Sequence, residues 1–428
     1  MRSPTVYHVA VLPIILSGIA FLAALSFLAW VAILLHPARP WDFQPVGDDK
    51  PIGNSPAANW DGNWPQVSIL VPARNEAEAL PRTLPALLTQ DYPGPFQVVL
   101  IDDRSSDGTG EAARRIAGEL GRAERLHVIA GAQLPEGWVG KVWALQQGIS
   151  SLSTQHSELS TFLLLTDADI LHAPSSLRRL VGESLAGGLA LNSRMARLRC
   201  ESVAEKLLIP AFVFFFNLLY PMRRVNDPQH RTAAAAGGCM LLSRQGLERI
   251  GGGLESIRSE LIDDVNLARQ VKGAGLPINL SLSRTEVKSL REYPRLGDIW
   301  RMVRRSAFTE LKYSWLRLAG ALLGLGMLFV VPVLAFCGGF ITLCFVELIR
   351  PVLLALLAFF LGALGLDLMG RAYKPAIAFF GLPERYACTL PVAGVLYGLM
   401  TLDSALRHAL GAGTQWRETN PKSKKSAA

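Results

Sequence analysis

Long apolar segments near both ends constrain this chain more than any other feature. Val9 to Leu35 carries no charged residue, and at about 1.5 Å per residue it exceeds the roughly 30 Å thickness of the hydrocarbon core of a bilayer. A secretory signal has an apolar stretch of only about 7–15 residues, so we interpret this run as a membrane anchor. Three further apolar stretches follow, at Leu316–Ile349, Val352–Met369 and Tyr386–Leu402. The chain is therefore predicted to join membrane helices to a soluble domain.

Composition agrees with this division and excludes several classes of protein. Half of the 428 residues are hydrophobic and 18% are charged, whereas soluble domains average about 25% charged residues. A chain this apolar is not disordered. The net charge of +8, from 43 Lys and Arg against 35 Asp and Glu, is modest and not gathered in a basic arm, so we expect no nucleic acid as a partner.

The cysteines show neither CxxC spacing nor a paired framework, and two of them lie in apolar runs. Metal binding and disulfide formation are therefore disfavoured. We predict that all five are small buried hydrophobic residues: Cys200, Cys239, Cys337, Cys344 and Cys388.

Changes in composition along the chain predict five regions. They are an N-terminal transmembrane anchor at 1–36, a Pro-rich linker at 37–65, a cytoplasmic α/β domain at 66–312, C-terminal membrane helices at 313–410 and a basic tail at 411–428. Within the α/β domain, residues 203–222 are too short and too polar at their start to span; they fit an interfacial helix or a buried core helix equally well.

Basic residues predict the orientation in the membrane. Arg301, Arg304 and Arg305 stand before the C-terminal apolar stretches, which by the positive-inside rule places the preceding domain in the cytoplasm of a multi-pass inner-membrane protein. Three C-terminal spans would put the basic tail outside, against the rule, whereas splitting Leu316–Ile349 into two short spans would bring it inside. The sequence leaves the number of spans open.

The central domain alternates strands with helices. Short β-branched or apolar runs bounded by breakers predict strands at Val67–Pro72, Val98–Asp102, His127–Ala130 and Thr161–Thr166. Helical patterns separate the first three. This alternation predicts a doubly wound, mostly parallel sheet with its ligand at the carboxyl ends of the strands.

Two acidic clusters follow predicted strands. Asp103 comes directly after the second strand and is suited to accept a hydrogen bond from a base N–H or a ribose hydroxyl, whereas Asp107 reads as a helix cap. Asp167 and Asp169 follow the apolar strand that ends at Thr166. Buried carboxylates need a positive neighbour, so we predict that this pair binds Mg²⁺ or Mn²⁺, which would bridge to a diphosphate. A helix cap is the alternative for this pair.

Three further polar groups stand at predicted helix starts. Lys141 opposes the helix dipole there, so it needs a negative partner such as a diphosphate. Asp263 fits a helix cap, and the adjacent Asp264 is a candidate general base for a hydroxyl proton. Arg301 and Arg304, one helical turn apart, would hold a leaving diphosphate or anchor the chain on anionic lipid.

Together these motifs resemble family-2 glycosyltransferases with the GT-A fold. The matching elements run in family order from about residue 67 to 275: VSILVPARNEAEALPRTL, VVLIDDRSSDGT, GWVGKVWALQQG, LLLTDADI, AAAAGGCMLLSR and LIDDVNLARQVKGAG. The wording of GWVGKVWA, AAAAGGCM and GGGLESIRSELIDDVNLA is most similar to the hopene-associated glycosyltransferase subfamily, close to ceramide glucosyltransferases.

The resemblance implies a role for each matching residue. Pro72, Arg74, Asn75 and Glu76 would line the nucleotide pocket, and Asp103 would contact uridine. Asp167 and Asp169 would handle the metal and the donor sugar. Asp264 would be the inverting base, and Asp263 stands where the family often has Glu.

These observations predict a membrane-bound inverting enzyme that moves one sugar from a nucleotide-sugar, a UDP-sugar by the resemblance, to a hydroxyl of a membrane lipid such as a hopanoid. The predicted partners are thus the donor, the lipid acceptor and the bilayer. A processive polysaccharide synthase is the first alternative, but such enzymes carry a QxxRW-like motif where this chain has Arg301-Met302-Val303-Arg304-Arg305. A non-catalytic lipid-binding or scaffold protein with a degenerate transferase domain is the second.

Overall fold

The computed structural model describes residues 4–43, 62–154, 160–346 and 349–411. The predicted basic tail and most of the predicted linker lie outside these residues. The helices are α1 Pro4–Leu35, α2 Leu80–Leu88, α3 Thr109–Glu119, α4 Gly140–Thr154, α5 Ser176–Gly187, α6 Val203–Leu219, α7 Met222–Asn226, α8 Arg244–Arg249, α9 Asp263–Gly273, α10 Leu296–Glu310, α11 Trp315–Leu325, α12 Val331–Phe345, α13 Ile349–Phe379 and α14 Leu390–Ala409. The strands are β1 Val67–Ala73, β2 Phe96–Asp102, β3 Leu126–Ala130, β4 Phe162–Thr166, β5 Ile170–His172, β6 Leu191–Met195, β7 Cys239–Ser243, β8 Ile278–Leu282 and β9 Val287–Ser289.

The described residues form two compact units. An α/β unit contains the described parts of Gln44–Arg199 and Met222–Glu292. A helical unit contains those of Met1–Phe43, Cys200–Pro221 and Tyr293–Gly411. Helices α6 and α10, which fall inside the predicted 66–312 domain, thus pack with the helical unit.

The α/β unit has the predicted doubly wound sheet. Its seven strands lie in the order β3-β2-β1-β4-β7-β6-β8, and β7 alone among them runs opposite to the rest. Strand β1 is buried along its whole length because helices cover both faces of the sheet. The predicted strands at β1, β2, β3 and β4 are confirmed to within two residues at each end.

The strand order reverses between β1 and β4, and a reversal of this kind predicts a cleft outside the carboxyl ends of the strands. Strand β1 pairs with β2 as far as Ala73 but with β4 only as far as Leu70. Pro72, which has no N–H to donate, therefore lies where β1 has no partner on its β4 side. Ligands of open α/β sheets bind at such switch points.

The helical unit contains the apolar segments. Four helical segments are long and apolar enough to cross a membrane: Leu12–Leu35, Trp315–Phe345, Pro351–Phe379 and Glu384–Ala409. The second joins α11 to α12 through a π-helical turn at Gly326–Val330. Leu316–Ile349 is therefore one apolar helical run as far as Phe345 rather than two short spans with a loop between them.

The cysteine prediction is correct for one residue and wrong for at least three. Cys239 is buried at the start of β7 and Cys200 is partly buried, but Cys337, Cys344 and Cys388 are exposed. Cys337 and Cys344 lie on the exposed surface of α12, an apolar helix. In a membrane helix such a surface faces lipid, so an apolar run does not imply burial in protein.

Candidate functional site

Asp103 lies at the carboxyl end of β2, as predicted, and is almost completely buried. Its Oδ2 lies 3.6 Å from Nη1 of Arg74 and its Oδ1 lies 3.3 Å from Nε of Arg104. Buried Oδ2 accepts no hydrogen bond from the described residues. A buried carboxylate oxygen without a hydrogen bond is an available acceptor for a ligand N–H or O–H group.

The loops after β1 and β2 are fastened to each other. Asn75, in a left-handed conformation with φ of 54°, accepts a hydrogen bond from the backbone N–H of Ser106 at 2.8 Å. In return, Asp107 accepts from the N–H of Ala77 at 3.0 Å, and it also accepts from the N–H of Thr109 at 3.1 Å. Asp107 was predicted to cap a helix, but the N-cap of α3 is Gly108, without a side-chain capping hydrogen bond. Asp107 instead joins the two loops and accepts the N–H of the first residue of α3.

Lys141 lies at the centre of an acidic cluster. Its Nζ is 2.8 Å from Oδ1 of Asp167 and 3.5 Å from Oδ2 of Asp263. Burial lowers the pKa of Lys141, but the negative charges of Asp167 and Asp263 outweigh it and raise that pKa well above its usual value. The sequence predicted a diphosphate as the negative partner; here two carboxylates occupy that role, one directly after β4 and one at the start of α9.

Asp264 is the third carboxylate of this cluster and is held by backbone groups. Its Oδ2 accepts the N–H of Gly237 at 2.8 Å and its Oδ1 accepts the N–H of Val265 at 2.8 Å. Burial, and then the neighbouring charge of Asp263, raise the pKa of Asp264 to about 6 despite the opposing charge of Lys141. A carboxylate with such a pKa is suited to accept a proton near neutral pH.

A buried polar network fixes the position of the glycine loop that holds Asp264. Thr166, the last residue of β4, donates to the carbonyl of Gly238 at 2.8 Å, so its oxygen accepts from Nε2 of His172, also at 2.8 Å. Burial lowers the pKa of His172 to about 4, which keeps its ring neutral. Because β7 is antiparallel to β4, its first residues lie beside Asp167.

Gly237 lies within the AAAAGGCM segment and belongs to the site, although no role was predicted for it from the sequence. A Cβ added there would lie 3.1 Å from Nζ of Lys141 and 3.3 Å from Oδ2 of Asp264. The signal in the sequence was a pair of glycines directly before a buried apolar strand, typical of a close approach by other groups.

We expect Gly237→Ala to displace Lys141 and Asp264 by a few tenths of an ångström and to lower the catalysed rate about tenfold, since a misplacement of 1 Å can cost about 100-fold. Gly238→Ala is the matched control, because its added Cβ would lie 3.1 Å from Cδ1 of Ile170, an apolar side chain. Melting temperatures and turnover are measured for both variants. Equal loss of turnover at equal loss of stability would contradict this interpretation.

The described residues contain no group of three or more His, Cys, Asp or Glu that would hold a metal ion by itself. The cluster nevertheless has three carboxylates facing one ammonium group. Asp167 is partly exposed and is able to offer an oxygen to a ligand. Mg²⁺ is commonly held by one or two carboxylates together with substrate phosphates, and the cluster fits that kind of site.

The remaining predicted residues lie in three places. Asp169 is partly buried two residues after Asp167, and its backbone oxygen accepts the N–H of Leu290 at 2.9 Å. Glu76 lies in the loop after β1, where its N–H donates to Oγ1 of Thr109 at 2.9 Å. Arg301 and Arg304 lie on α10 in the helical unit, paired with Asp298 at 2.5 Å and with Asp403 at 3.6 Å. Their predicted contact with a diphosphate stays a prediction.

Comparison with known proteins indicates the same family that the motifs resemble. Residues 68–251, somewhat less than half of the chain, match the family model described as Glycosyl transferase family 2. The matched segment begins in β1 and ends just after α8, so it contains the loops with Asp103, Lys141, Asp167 and Gly237.

Two relatives have names that include a lipid. Undecaprenyl-phosphate mannosyltransferase of Micrococcus luteus is 32% identical over 130 residues, which are 30% of this chain and 48% of that protein. The 4,4'-diaponeurosporenoate glycosyltransferase of Staphylococcus haemolyticus is 31% identical over 104 residues, 24% of each chain. The chain spans less than half of the length of these curated relatives.

Among solved structures, the mannosyltransferase PcManGT from Pyrobaculum calidifontis, in complex with GDP-Man and Mn²⁺, is similar over 92% of this chain and 98% of that chain. The TM-score is 0.49 and the sequence identity is 20%. Residue roles are therefore taken from this chain's own geometry.

Proposed function

We propose that this protein is a membrane-bound inverting glycosyltransferase that moves one sugar from a nucleotide-sugar to a hydroxyl of a membrane lipid. The observation that carries the proposal is the cluster of Asp167, Asp263 and Asp264 around Lys141. Lys141 and Asp167 lie within residues 68–251, the segment that matches the glycosyltransferase family 2 model. The UDP donor and a hopanoid acceptor are the finer parts of the proposal and rest on the resemblance of the motifs.

Donor binding would use the cleft beside β1. Asp103 has a buried oxygen free to accept an N–H of the base, and Arg74 stands next to it. Pro72, Asn75 and Glu76 belong to the same strand end. Strands lie about 4.8 Å apart, so the ends of β2 and β4, with β1 between them, are separated by about 10 Å. That is a distance that a nucleoside diphosphate can bridge from Asp103 to Asp167.

Asp264 would act as the general base. The acceptor hydroxyl oxygen attacks the anomeric carbon while its proton passes to the Asp264 carboxylate, and the bond between that carbon and the diphosphate oxygen breaks. The diphosphate leaves with the bonding electrons. The hydrogen bond from the N–H of Gly237 holds one carboxylate oxygen in place, and positioned bases of this kind contribute about 10²- to 10⁴-fold to a rate.

A divalent cation would be held by Asp167 and Asp169 together with the donor. Three carboxylates and one ammonium leave an excess of negative charge, which would repel a diphosphate. Mg²⁺ or Mn²⁺ would supply the positive charge that offsets this repulsion and stabilises the leaving group. Lys141 would contribute a further positive charge at the diphosphate, and Asp263 would hold the Lys141 ammonium toward it. Arg301 and Arg304 are proposed as additional contacts of the leaving group.

A lipid acceptor fits the architecture because the same chain carries helices long and apolar enough to cross a membrane. An acceptor that cannot leave the bilayer must be met there. We propose the cytoplasmic side of the inner membrane for the reaction, from the basic residues that precede α11.

The pH dependence of turnover follows from the pKa of Asp264. The base acts only when deprotonated, so the rate is expected to be level above about pH 6 and to fall tenfold per pH unit below it. Asp263→Asn removes a charge that raises this pKa, so its acidic limb is expected at lower pH than that of the wild type. A pH profile of single-turnover rates checks both expectations, and a limb that stays in place in Asp263→Asn would contradict them.

The proposal is tested with purified protein in nanodiscs, membrane lipid extract, Mn²⁺ and a panel of radiolabelled nucleotide-sugars. We expect label from one donor to enter the chloroform-soluble fraction as a lipid with a single added sugar. Label in an insoluble polymer would favour a processive synthase instead. Absence of UDP binding in calorimetry with Mn²⁺ would favour the non-catalytic alternative.

A further inference from the structure

We propose that α14, although long and apolar enough to span, does not cross the membrane but lies at its surface on the side of α10. Three of the four candidate spans then cross, and the chain after α14 emerges on the side of α10. The proposal concerns the helical unit alone and does not depend on the proposed function.

Helix α14 packs antiparallel to α11 and to the π-helical turn Gly326–Val330 that follows α11. A Cβ added at Gly394 would lie 2.7 Å from the ring of Phe329, and one added at Gly398 would lie 3.5 Å from Leu322. Further along, the ring of His408 stacks on Tyr313 with centroids 4.4 Å apart. The end of α14 therefore lies beside the beginning of α11.

The last turns of α14 are also fastened to α10, which directly precedes α11. Asp403 accepts from Nε1 of Trp300 at 2.7 Å. Ser404 donates to the carbonyl of Arg304 at 2.6 Å and accepts the N–H of Phe308 at 3.1 Å. The end of α14 is thus on the side from which α11 and α12 depart.

The beginning of α14 is on this same side. Helix α13 returns antiparallel along α12, with Gly362 so close to Phe336 that an added Cβ would lie 2.4 Å from its backbone nitrogen. Near its far end α13 becomes polar, with Asp367 and Arg371 paired at 2.7 Å. Lys374 then pairs at 2.7 Å with Glu384, in the turn that leads into α14. A helix with both ends on one side has not crossed.

Helix lengths agree with this arrangement. The π-helical turn and α12 run from Gly326 to Phe345, about 30 Å at 1.5 Å per residue, which equals the thickness of the hydrocarbon core without any contribution from α11. The unit's other long helix, α1, packs on both α12 and α13. These three helices form the crossing bundle.

The exposed surface of α14 fits a bilayer surface. Its exposed large apolar residues are separated by three, four or seven positions and so share one face: Val392, Val395, Leu399, Leu406 and Leu410. Charged residues stand at both ends of the segment, at Glu384 and Arg385 and at Asp403 and Arg407. One apolar face with charged ends is typical of helices that lie in the membrane interface.

The distribution of basic residues agrees with three crossings. Arg371, Lys374, Arg385 and Arg407 then share the side of Arg304, and the basic tail joins them. Four crossings would place the tail on the opposite side, against the positive-inside rule.

Labelling of single introduced cysteines in the full chain tests the proposal. Lys312→Cys marks the turn between α10 and α11, Val346→Cys marks the end of α12, and Ser426→Cys marks the tail. Sealed vesicles of one orientation are treated with a membrane-impermeant maleimide, and labelled peptides are identified by mass spectrometry, so the native cysteines stay in place. We expect Lys312→Cys and Ser426→Cys to react from one face and Val346→Cys to react only from the other.

Reaction of Ser426→Cys from the face opposite to Lys312→Cys would overturn the proposal. Vesicles opened with detergent control for cysteines that are unreactive because they are buried. If Val346→Cys stays unreactive even then, the comparison of Ser426→Cys with Lys312→Cys decides alone. Wild-type elution in size-exclusion chromatography confirms that each variant is folded.

Discussion

Asp264→Asn is expected to lower the rate of sugar transfer about 10³-fold. The amide keeps the shape of the side chain and still accepts a backbone hydrogen bond, but it cannot take the proton of the acceptor hydroxyl. General base catalysis contributes about 10²- to 10⁴-fold, and the variant loses this contribution without losing the donor site. Turnover in nanodiscs gives the rate, and calorimetry with UDP and Mn²⁺ is expected to give an unchanged affinity.

Asp263→Asn is the matched control for this prediction. It makes the same chemical change in the neighbouring residue of α9, whose carboxylate lies 3.5 Å from Nζ of Lys141. We expect a loss of about tenfold, at the lower end of the roughly 10- to 100-fold cost of removing a group that positions another. If Asp264→Asn transfers sugar as fast as Asp263→Asn, Asp264 is not the base.

Asp167→Asn is expected to lower turnover by at least about 100-fold at a fixed metal concentration, since loss of even an outer-shell group costs about 10- to 100-fold in affinity or activity. The variant removes a proposed metal ligand and the closest negative partner of Lys141, at 2.8 Å. Turnover is measured as a function of Mn²⁺ concentration, and the half-saturating concentration is expected to rise.

Asp91→Asn controls for the loss of a carboxylate elsewhere in the α/β unit, because Asp91 is exposed and pairs weakly with Arg178 at 3.8 Å. It is expected to respond to Mn²⁺ as the wild type does. A wild-type metal response in Asp167→Asn would show that this carboxylate does not hold the cation.

The sheet was largely predictable because buried parallel strands have a local signature. The runs at β1, β2 and β4 are largely apolar and are followed directly by Arg74, Asp103 and Asp167, so pattern alone located them. The partners of α10 were not predictable. An amphipathic helix has the same pattern whether it packs on a sheet or on membrane helices. Helix α10 falls inside the predicted 66–312 domain but packs with the helical unit.

Asp103 and Asp167 were predicted as site residues from their positions after strands, and Asp264 from its position at a helix start, but the neighbours of these residues were not predicted. Lys141 was expected to pair with a diphosphate, whereas in the ligand-free protein Asp167 and Asp263 pair with the Lys141 ammonium group. Contacts between loops far apart in sequence depend on the tertiary fold, which periodicity does not contain. Gly237 shows the same limit, because its role depends on Lys141 and Asp264, which lie beside it only in the folded chain.

The membrane arrangement illustrates a different limit. Length and hydropathy identify helices that are able to span a membrane. Helix α14 differs from α13 in the helices against which it packs. It also differs in that both of its ends contact polar groups that we place on the same side of the membrane. Hydropathy does not record such contacts.

The lipid composition of cells that lack this gene tests the central claim most directly. Total lipids are extracted from the deletion strain, from the strain restored with the wild-type gene, and from the strain carrying Asp264→Asn at equal protein level. We predict that one glycolipid with a single sugar disappears in the deletion, returns with the wild type and stays absent with Asp264→Asn. Identical lipid profiles in all three strains, or loss of a polysaccharide instead of a glycolipid, would contradict the proposed function.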